Sequence, residues 1–238
     1  MTGSSDGRIV LVTGASRGIG RAAAKALAKT GAHVVLLART VGALEDLDDE
    51  IRKDGGSATL VPLDLKDFPA IDRLGATLFE RWGRLDAVFG NAGVLGALMP
   101  LAHLDPRIFA DLVNVNVTAN WRLIRSLDPL LRRSEAGRAL FVSSGAARRF
   151  RAYWGGYGMS KAALEALVLT YAEECAGTPI KVNLLNPGPL RTRMRAAAMP
   201  GEDPDTLEPP EAVSPLIVDL LSPSCTKNGE LISFKATA

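Results

Sequence analysis

Cysteine and histidine are scarce in this chain, with two of each among 238 residues. Cys175 and Cys225 stand far apart without metal-ligand spacing, which excludes a disulfide framework or a zinc site and leaves two free thiols. His33, at a strand start, and His103, in a loop, have no clustered partners, so neither a metal centre nor a catalytic role is expected of them. No apolar run approaches the ~20 residues of a membrane span. Met1 to Arg8 is polar and small, lacking the apolar core of a signal segment, so a cytoplasmic protein is expected. Blocks of like charge are also missing: 28 basic against 26 acidic residues leave a net charge of +2, which argues against nucleic acid or membrane as partner. What is present is a chain 47% hydrophobic, enough to bury a core. With no repeat and no linker-like break, residues 1–238 are read as a single domain.

The chain is organised around Val12-Thr13-Gly14-Ala15-Ser16-Arg17-Gly18-Ile19-Gly20. An apolar, β-branched run (Ile9 to Val12) precedes it, and Ile19, Ala22, Ala23, Ala26 and Leu27 follow at helical spacing. The pattern is a buried strand turning into an amphipathic helix. Three glycines in such a turn bring backbone N–H groups close to a pyrophosphate at the positive end of the helix dipole. The spacing, Gly-x-x-x-Gly-x-Gly, differs from the Gly-x-Gly-x-x-Gly of the common dinucleotide fingerprint, but the mechanism is the same.

Strand and helix patterns then alternate. Strands are expected at Ala32 to Ala38, Ala58 to Leu63, Leu85 to Gly90, Ala139 to Ser143, Ile180 to Leu185 and Glu230 to Phe234. Helices are expected around Leu44 to Ile51, over Phe68 to Trp82, from an Asp105 cap with Pro106 at the first position to about Arg133, over Tyr157 to Glu174 and over Val213 to Leu221. Pro187 to Pro210 reads as a proline-rich excursion. This rhythm predicts an α/β fold: a doubly wound parallel sheet of about seven strands with helices on both faces. A ligand then sits outside the carboxyl ends of the strands, where Gly14 to Gly20, Ala38-Arg39, Asp64, Asn91 to Gly93, Ser143-Ser144 and Asn186 to Gly188 all fall.

At the end of the second strand, where an acidic residue would hold the ribose 2′-OH of NAD, stand Ala38 and Arg39. A guanidinium there grips a 2′-phosphate through charge-assisted hydrogen bonds, and Arg17 is a second candidate for the same phosphate. NADP(H) is therefore expected over NAD(H). Asp64 has two open readings: acceptor for the adenine amino group, or helix cap.

Tyr157 and Lys161 lie one turn apart on one helix face. Using a phenol as acid/base near neutrality asks for a shift of ~3 pKa units, about 4 kcal/mol, and an ammonium about 4 Å away supplies an attraction of that order. Ser144 can donate to the oxygen that gains negative charge during hydride transfer.

Taken in order, Thr13 to Gly20, Asn91-Ala92-Gly93, Asn116 within Val115-Asn116-Val117, Ser144, Tyr157-x-x-x-Lys161, and Asn186-Pro187-Gly188 with Thr192 resemble the motif set of the short-chain dehydrogenase/reductase family, whose fold is a Rossmann fold. The resemblance covers about Arg8 to Phe234. It implies Tyr157 as general acid/base, Lys161 lowering its pKa and holding the nicotinamide ribose, Ser144 orienting the carbonyl or alcohol, and Asn116 holding a relay water. It implies cofactor contacts from Gly14, Ser16, Arg17, Gly18, Ile19, Gly20, Arg39, Asp64, Leu65, Asn91, Ala92, Gly93, Tyr157, Lys161, Pro187, Gly188 and Thr192. It further implies a small-molecule carbonyl or alcohol substrate, with a 3-oxoacyl reductase-like activity as one identity, and self-association as homodimer or homotetramer. A cofactor-binding protein without turnover, sensing NADP(H) or serving as an assembly subunit, is the alternative; the complete catalytic set argues against it. One departure is the short, proline-rich segment between Thr192 and Glu211, where family members often carry a longer helical lid. Arg148, Arg149 and Arg151, with Arg191, Arg193 and Arg195, form two basic clusters beside the expected site, open to two readings: an anionic substrate or a solvated rim.

Overall fold

The computed structural model describes residues 7–234, so the reading of residues 1–6 as free of a signal core lies outside the described residues. Seven strands form one parallel sheet: β1 (Ile9–Thr13), β2 (His33–Ala38), β3 (Ser57–Pro62), β4 (Ala87–Gly90), β5 (Arg138–Val142), β6 (Lys181–Asn186) and β7 (Leu231–Ser233). Their order is β3-β2-β1-β4-β5-β6-β7. The chain winds outward from β1 in both directions, so the carboxyl ends of β1 and β4 flank the crevice where a ligand sits in this topology.

Helices α1 (Gly18–Ala28), α2 (Val41–Lys53) and α8 (Ser214–Leu221) cover one face; α3 (Phe68–Trp82), α5 (Ala119–Leu131) and α6 (Gly155–Glu174) cover the other. Strand alternation divides the core accordingly. Ile9 and Leu11 of β1 pack towards α3, α5 and α6, while Val10 and Val12 pack towards α1, α2 and α8. Because both faces are covered, the inner strands read as unbroken apolar runs.

Two elements depart from expectation. The helix expected from Pro106 to about Arg133 is interrupted: α4 (Pro106–Val113) passes through a π-helical turn, Asn114–Thr118, into α5. The wider turn frees backbone acceptors, and the Asn120 amide donates to the Asn116 carbonyl at 2.9 Å. The proline-rich excursion contains a short helix, α7 (Arg193–Ala198), capped by Thr192, whose hydroxyl accepts the Arg195 N–H at 3.2 Å.

The amino-terminal edge of the sheet is closed by buried charge. The Asp86 carboxylate accepts from Ile9 N–H at 2.9 Å, Ser134 Oγ at 2.6 Å and Arg84 Nε at 3.2 Å. The Arg8 guanidinium donates to the carbonyls of Asp86, Ala136 and Leu221, and Arg138 to those of Gly137, Pro179, Ser222 and Pro223. Burial lowers the Arg8 pKa and the Asp86 charge opposes that shift. Removing the carboxylate leaves the buried Arg8 guanidinium without its opposing charge and strips Ile9 N–H and Ser134 Oγ of their acceptor. Asp86→Ala is therefore expected to cost about 3–5 kcal/mol in urea denaturation; a loss under ~1 kcal/mol would show that the carboxylate contributes no more than an exposed one.

Candidate active site

The glycine loop leaves β1 by a turn only glycine adopts freely, with φ of 67° at Gly14 and 55° at Gly18. The Gly14 and Ala15 N–H groups bond the Leu37 carbonyl at 2.8 and 3.2 Å, tying the loop to β2. A Cβ at Gly20 would collide with the Gly14 carbonyl and the Asn91 amide. α1 begins after Arg17 without a side-chain cap and without acidic residues in its first turn, so its free N–H groups and dipole face outward. The Thr192 methyl lies 3.6 Å from where a Gly18 Cβ would stand, which sets the start of α7 against the loop. Gly188, also at positive φ (66°), has open space about it. A turn held open by glycine beside an uncapped helix start fits a dinucleotide pyrophosphate.

Other expected cofactor residues are placed as follows. The Asn91 side chain donates to the carbonyls of Thr13 (3.0 Å) and Gly14 (3.4 Å), while Thr13 Oγ1 accepts from the Asn91 and Ala92 N–H groups. The Asn91 amide thus ties β4 to β1 beneath the loop. Leu65 turns its side chain into the core, which leaves its backbone alone for contact. Of the two readings of Asp64, the helix cap falls to Asp67, which accepts the Ala70 N–H at 3.0 Å at the start of α3. Asp64 accepts the Lys66 N–H at 2.9 Å and lies 3.8 Å from Arg39. Arg39 and Arg17 are exposed, and Pro187 is buried at the end of β6.

At the end of β5, Ser144 caps a short turn, Gly145–Ala147, and hydrogen-bonds the Tyr157 phenol. Tyr157 is 8% exposed; burial raises its pKa and the Ser144 hydrogen bond opposes the rise. Lys161 is 3% exposed, donates to the Val142 carbonyl at 2.9 Å and places its Nζ 5.9 Å from the centre of the phenol ring. Burial lowers its pKa to about 8. Burial is the larger of the two influences on the phenol, so the cofactor-free chain favours its protonated form.

Asn116, fully buried, sits in the π turn. Its amide donates to the Val94 carbonyl and to Ser160 Oγ, both at 2.9 Å, and its carbonyl oxygen accepts the Val94 N–H at 2.8 Å. A Cβ on Gly93 would stand 3.2 Å from Asn116 Oδ1 and 3.4 Å from Lys161 Nζ, so the Asn-Ala-Gly strand end, the π turn and the lysine meet at one point.

Sequence reasoning missed Glu165. Its buried carboxylate takes Ser143 Oγ at 2.6 Å and Arg148 Nε at 2.9 Å, fastening the segment that carries Ser144 to α6. The signal was available, since Glu165 follows Lys161 by one turn on the same helical face. The two basic clusters are also partly spent: Arg148 pairs with Glu165, Arg191 with Asp205 and Arg195 with Glu202.

The pattern of the short chain dehydrogenases matches residues 8–203. The chain belongs to that family. This short-chain dehydrogenase is 40% identical over 217 residues to the oxidoreductase YciK of Escherichia coli K12, covering 90% of this chain and 86% of YciK. It is 35% identical to an NAD-dependent oxidoreductase of Mycobacterium tuberculosis H37Rv over 81% of this chain and 74% of that one. A short chain dehydrogenase of Shigella flexneri 2a strain 301, solved with NADP, superposes with a TM-score of 0.94 at 37% identity over 98% of this chain and 99% of the other. One from Escherichia coli CFT073, solved with NADPH, gives 0.91 at 38% identity over 97% of each. The chain is thus an oxidoreductase acting on CH–OH or carbonyl groups, with the Rossmann fold of its family. Among the described residues no helix is long and apolar enough to cross a membrane, and no cluster of His, Cys, Asp or Glu could hold a metal.

The depressed lysine has a consequence for stability. The unfolded chain binds a proton at Lys161 up to about pH 10.5, the folded chain only to about pH 8. The unfolded state therefore holds more protons between these values, and the burial penalty is relieved as pH rises through that window. Any stability advantage of Lys161→Met over the parent should shrink by about 3 kcal/mol between pH 8 and 10.5 in urea denaturation of the cofactor-free protein. A constant difference would show that the amine titrates normally.

Proposed function

We propose that this protein interconverts a carbonyl and a secondary alcohol with NADP(H), with Tyr157 as general acid/base. The observation that carries the reading is the convergence of Ser144, Tyr157 and Lys161 at the end of β5, on the same sheet edge as the glycine loop after β1. Bound NADPH supplies the hydride. In the reducing direction Ser144 donates to the carbonyl oxygen and Tyr157 delivers its proton to it. A phenol that burial keeps protonated is the form this step needs. Lys161, charged below about pH 8, stabilises the phenolate left behind. Asn116 holds Ser160 and the strand end at Val94 in register with the lysine, and its proposed role is to order a relay water.

The preference for NADP(H) rests on Arg39 and Arg17, two exposed guanidinium groups flanking the end of β2 and the glycine loop. The dinucleotide contacts proposed are the glycine-loop residues, Asp64, the backbone of Leu65 and of Asn91 to Gly93, Pro187, Gly188 and Thr192. A self-associating cytoplasmic enzyme completes the reading.

Tyr157→Phe is expected to lower kcat by at least about a hundredfold while NADPH binding, followed by fluorescence, stays within about twofold. Retained turnover would remove Tyr157 from the chemistry. Arg39→Ala should weaken NADPH about tenfold and leave NADH little changed; an unaltered affinity ratio would sink the 2′-phosphate assignment.

A further inference from the structure

Residues 145–156 leave Ser144 and return to its hydrogen-bond partner Tyr157, making a loop whose two ends meet at the phenol. Its base is fastened at three places. Arg148 pairs with the Glu165 carboxylate that also holds Ser143. The Tyr153 carbonyl accepts the Met99 N–H at 3.1 Å. Leu101 packs so closely on Gly155 that a Cβ there would stand 3.0 Å from its Cδ1. Tyr153 itself adopts a φ of 74°, a conformation an aromatic residue takes only when its surroundings impose it.

This fastening leaves Arg149-Phe150-Arg151 at the tip. Phe150 is 97% exposed, with Leu101 and Tyr153 also open to solvent. Trp154 stands inside them, edge-on to the Tyr157 ring at 6.1 Å. The loop that runs back to the phenol therefore carries aromatic side chains from its tip to Trp154 beside Tyr157, and Arg149 and Arg151 have no ion-pair partner among the described residues, whereas Arg148 has. A neutral ligand would cover the aromatic groups and leave two guanidinium groups unanswered. A small anion would answer them and leave Phe150 bare.

We infer that this loop receives the far end of the substrate, and that the substrate is an extended apolar carbonyl compound ending in a carboxylate or similar anion. The inference rests on Tyr157 being the acid/base, and it adds the substrate class. Its carbonyl sits at Ser144 and Tyr157, its chain runs along Trp154 towards Leu101 and Phe150, and its anionic end meets Arg149 and Arg151.

The test uses NADPH-loaded protein titrated by calorimetry with nonanoate and with nonanol as unreactive probes. Nonanoate is expected to bind at least about tenfold tighter than nonanol, and Arg149→Glu/Arg151→Glu, on exposed positions, should erase or invert that ratio. Phe150→Ala should weaken both probes. Equal binding of the two probes, or a ratio unmoved by the charge reversal, overturns the inference while leaving the Tyr157 mechanism standing. A Phe150→Ala variant that changes the oligomeric mass without changing probe affinity assigns the tip to a second copy of the chain and also overturns it. If Tyr157→Phe retains full turnover, the mechanism itself fails and this assignment goes with it.

Discussion

The site depends on a buried ammonium held by a single carbonyl. Lys161 donates to the backbone oxygen of Val142 and has no carboxylate beside it among the described residues. A counter-ion there would restore the amine to its ordinary range and absorb the field it casts on the phenol. Without one the ammonium is poised at about pH 8, and its charge is left free beside the Tyr157 ring, where the proposed mechanism uses it. The nearest acidic group on the same face, Glu165, is one turn further on and already engaged by Ser143 and Arg148. The helix thus carries lysine and glutamate four residues apart without letting them pair, which separates electrostatics from anchoring.

That arrangement needs the neighbouring elements brought close. α6 begins with Gly155 and Gly156, and a side chain at either would press on Leu101, Leu104 or Leu112. Gly93 plays the same part opposite Asn116 and Lys161. The π turn supplies the remaining contact: an uninterrupted helix over the same residues would rotate Asn116 away from Val94 and Ser160, and the irregularity persists because the asparagine amide is satisfied on three sides. Here a local cost in backbone regularity is offset by a buried polar group with full hydrogen bonding.

Much of this was legible in the chain. Unbroken apolar runs separated by amphipathic segments revealed a parallel sheet covered on both faces, because such strands have no solvent side to alternate with. The placement of the glycine turn, Ser144, Tyr157 and Lys161 at strand and helix ends was legible because each directly follows an apolar run or opens a helix pattern. The π turn was not, since Val115, Asn116 and Val117 fit an ordinary helical period and the interruption comes from tertiary hydrogen bonds to Val94 and Ser160. Asn91 was read by its place after a strand; that its amide reaches the Thr13 and Gly14 carbonyls was not legible, because those acceptors lie more than seventy residues away in sequence. Which arginines of the two clusters are already paired was not legible, because partners distant in sequence, such as Glu165 for Arg148, carry no local signature.

The two ends of the sheet show why function collects at one of them. At the amino-terminal edge, the buried Arg8, Asp86 and Arg138 take up carbonyls and N–H groups that strands and loops leave unpaired. At the carboxyl edge the same need is met sparingly: the glycine loop, the uncapped start of α1, the exposed Arg17 and Arg39, and the open space at Gly188 remain unfilled by the chain. Unsatisfied donors at a helix start and exposed guanidinium groups, of which Arg39 has the partly exposed Asp64 beside it, are tolerable because water reaches them, and they bind an anion at little further cost in reorganisation. By closing one edge with its own charges, the fold leaves its remaining donors concentrated at the other, where a phosphate-bearing ligand can use them.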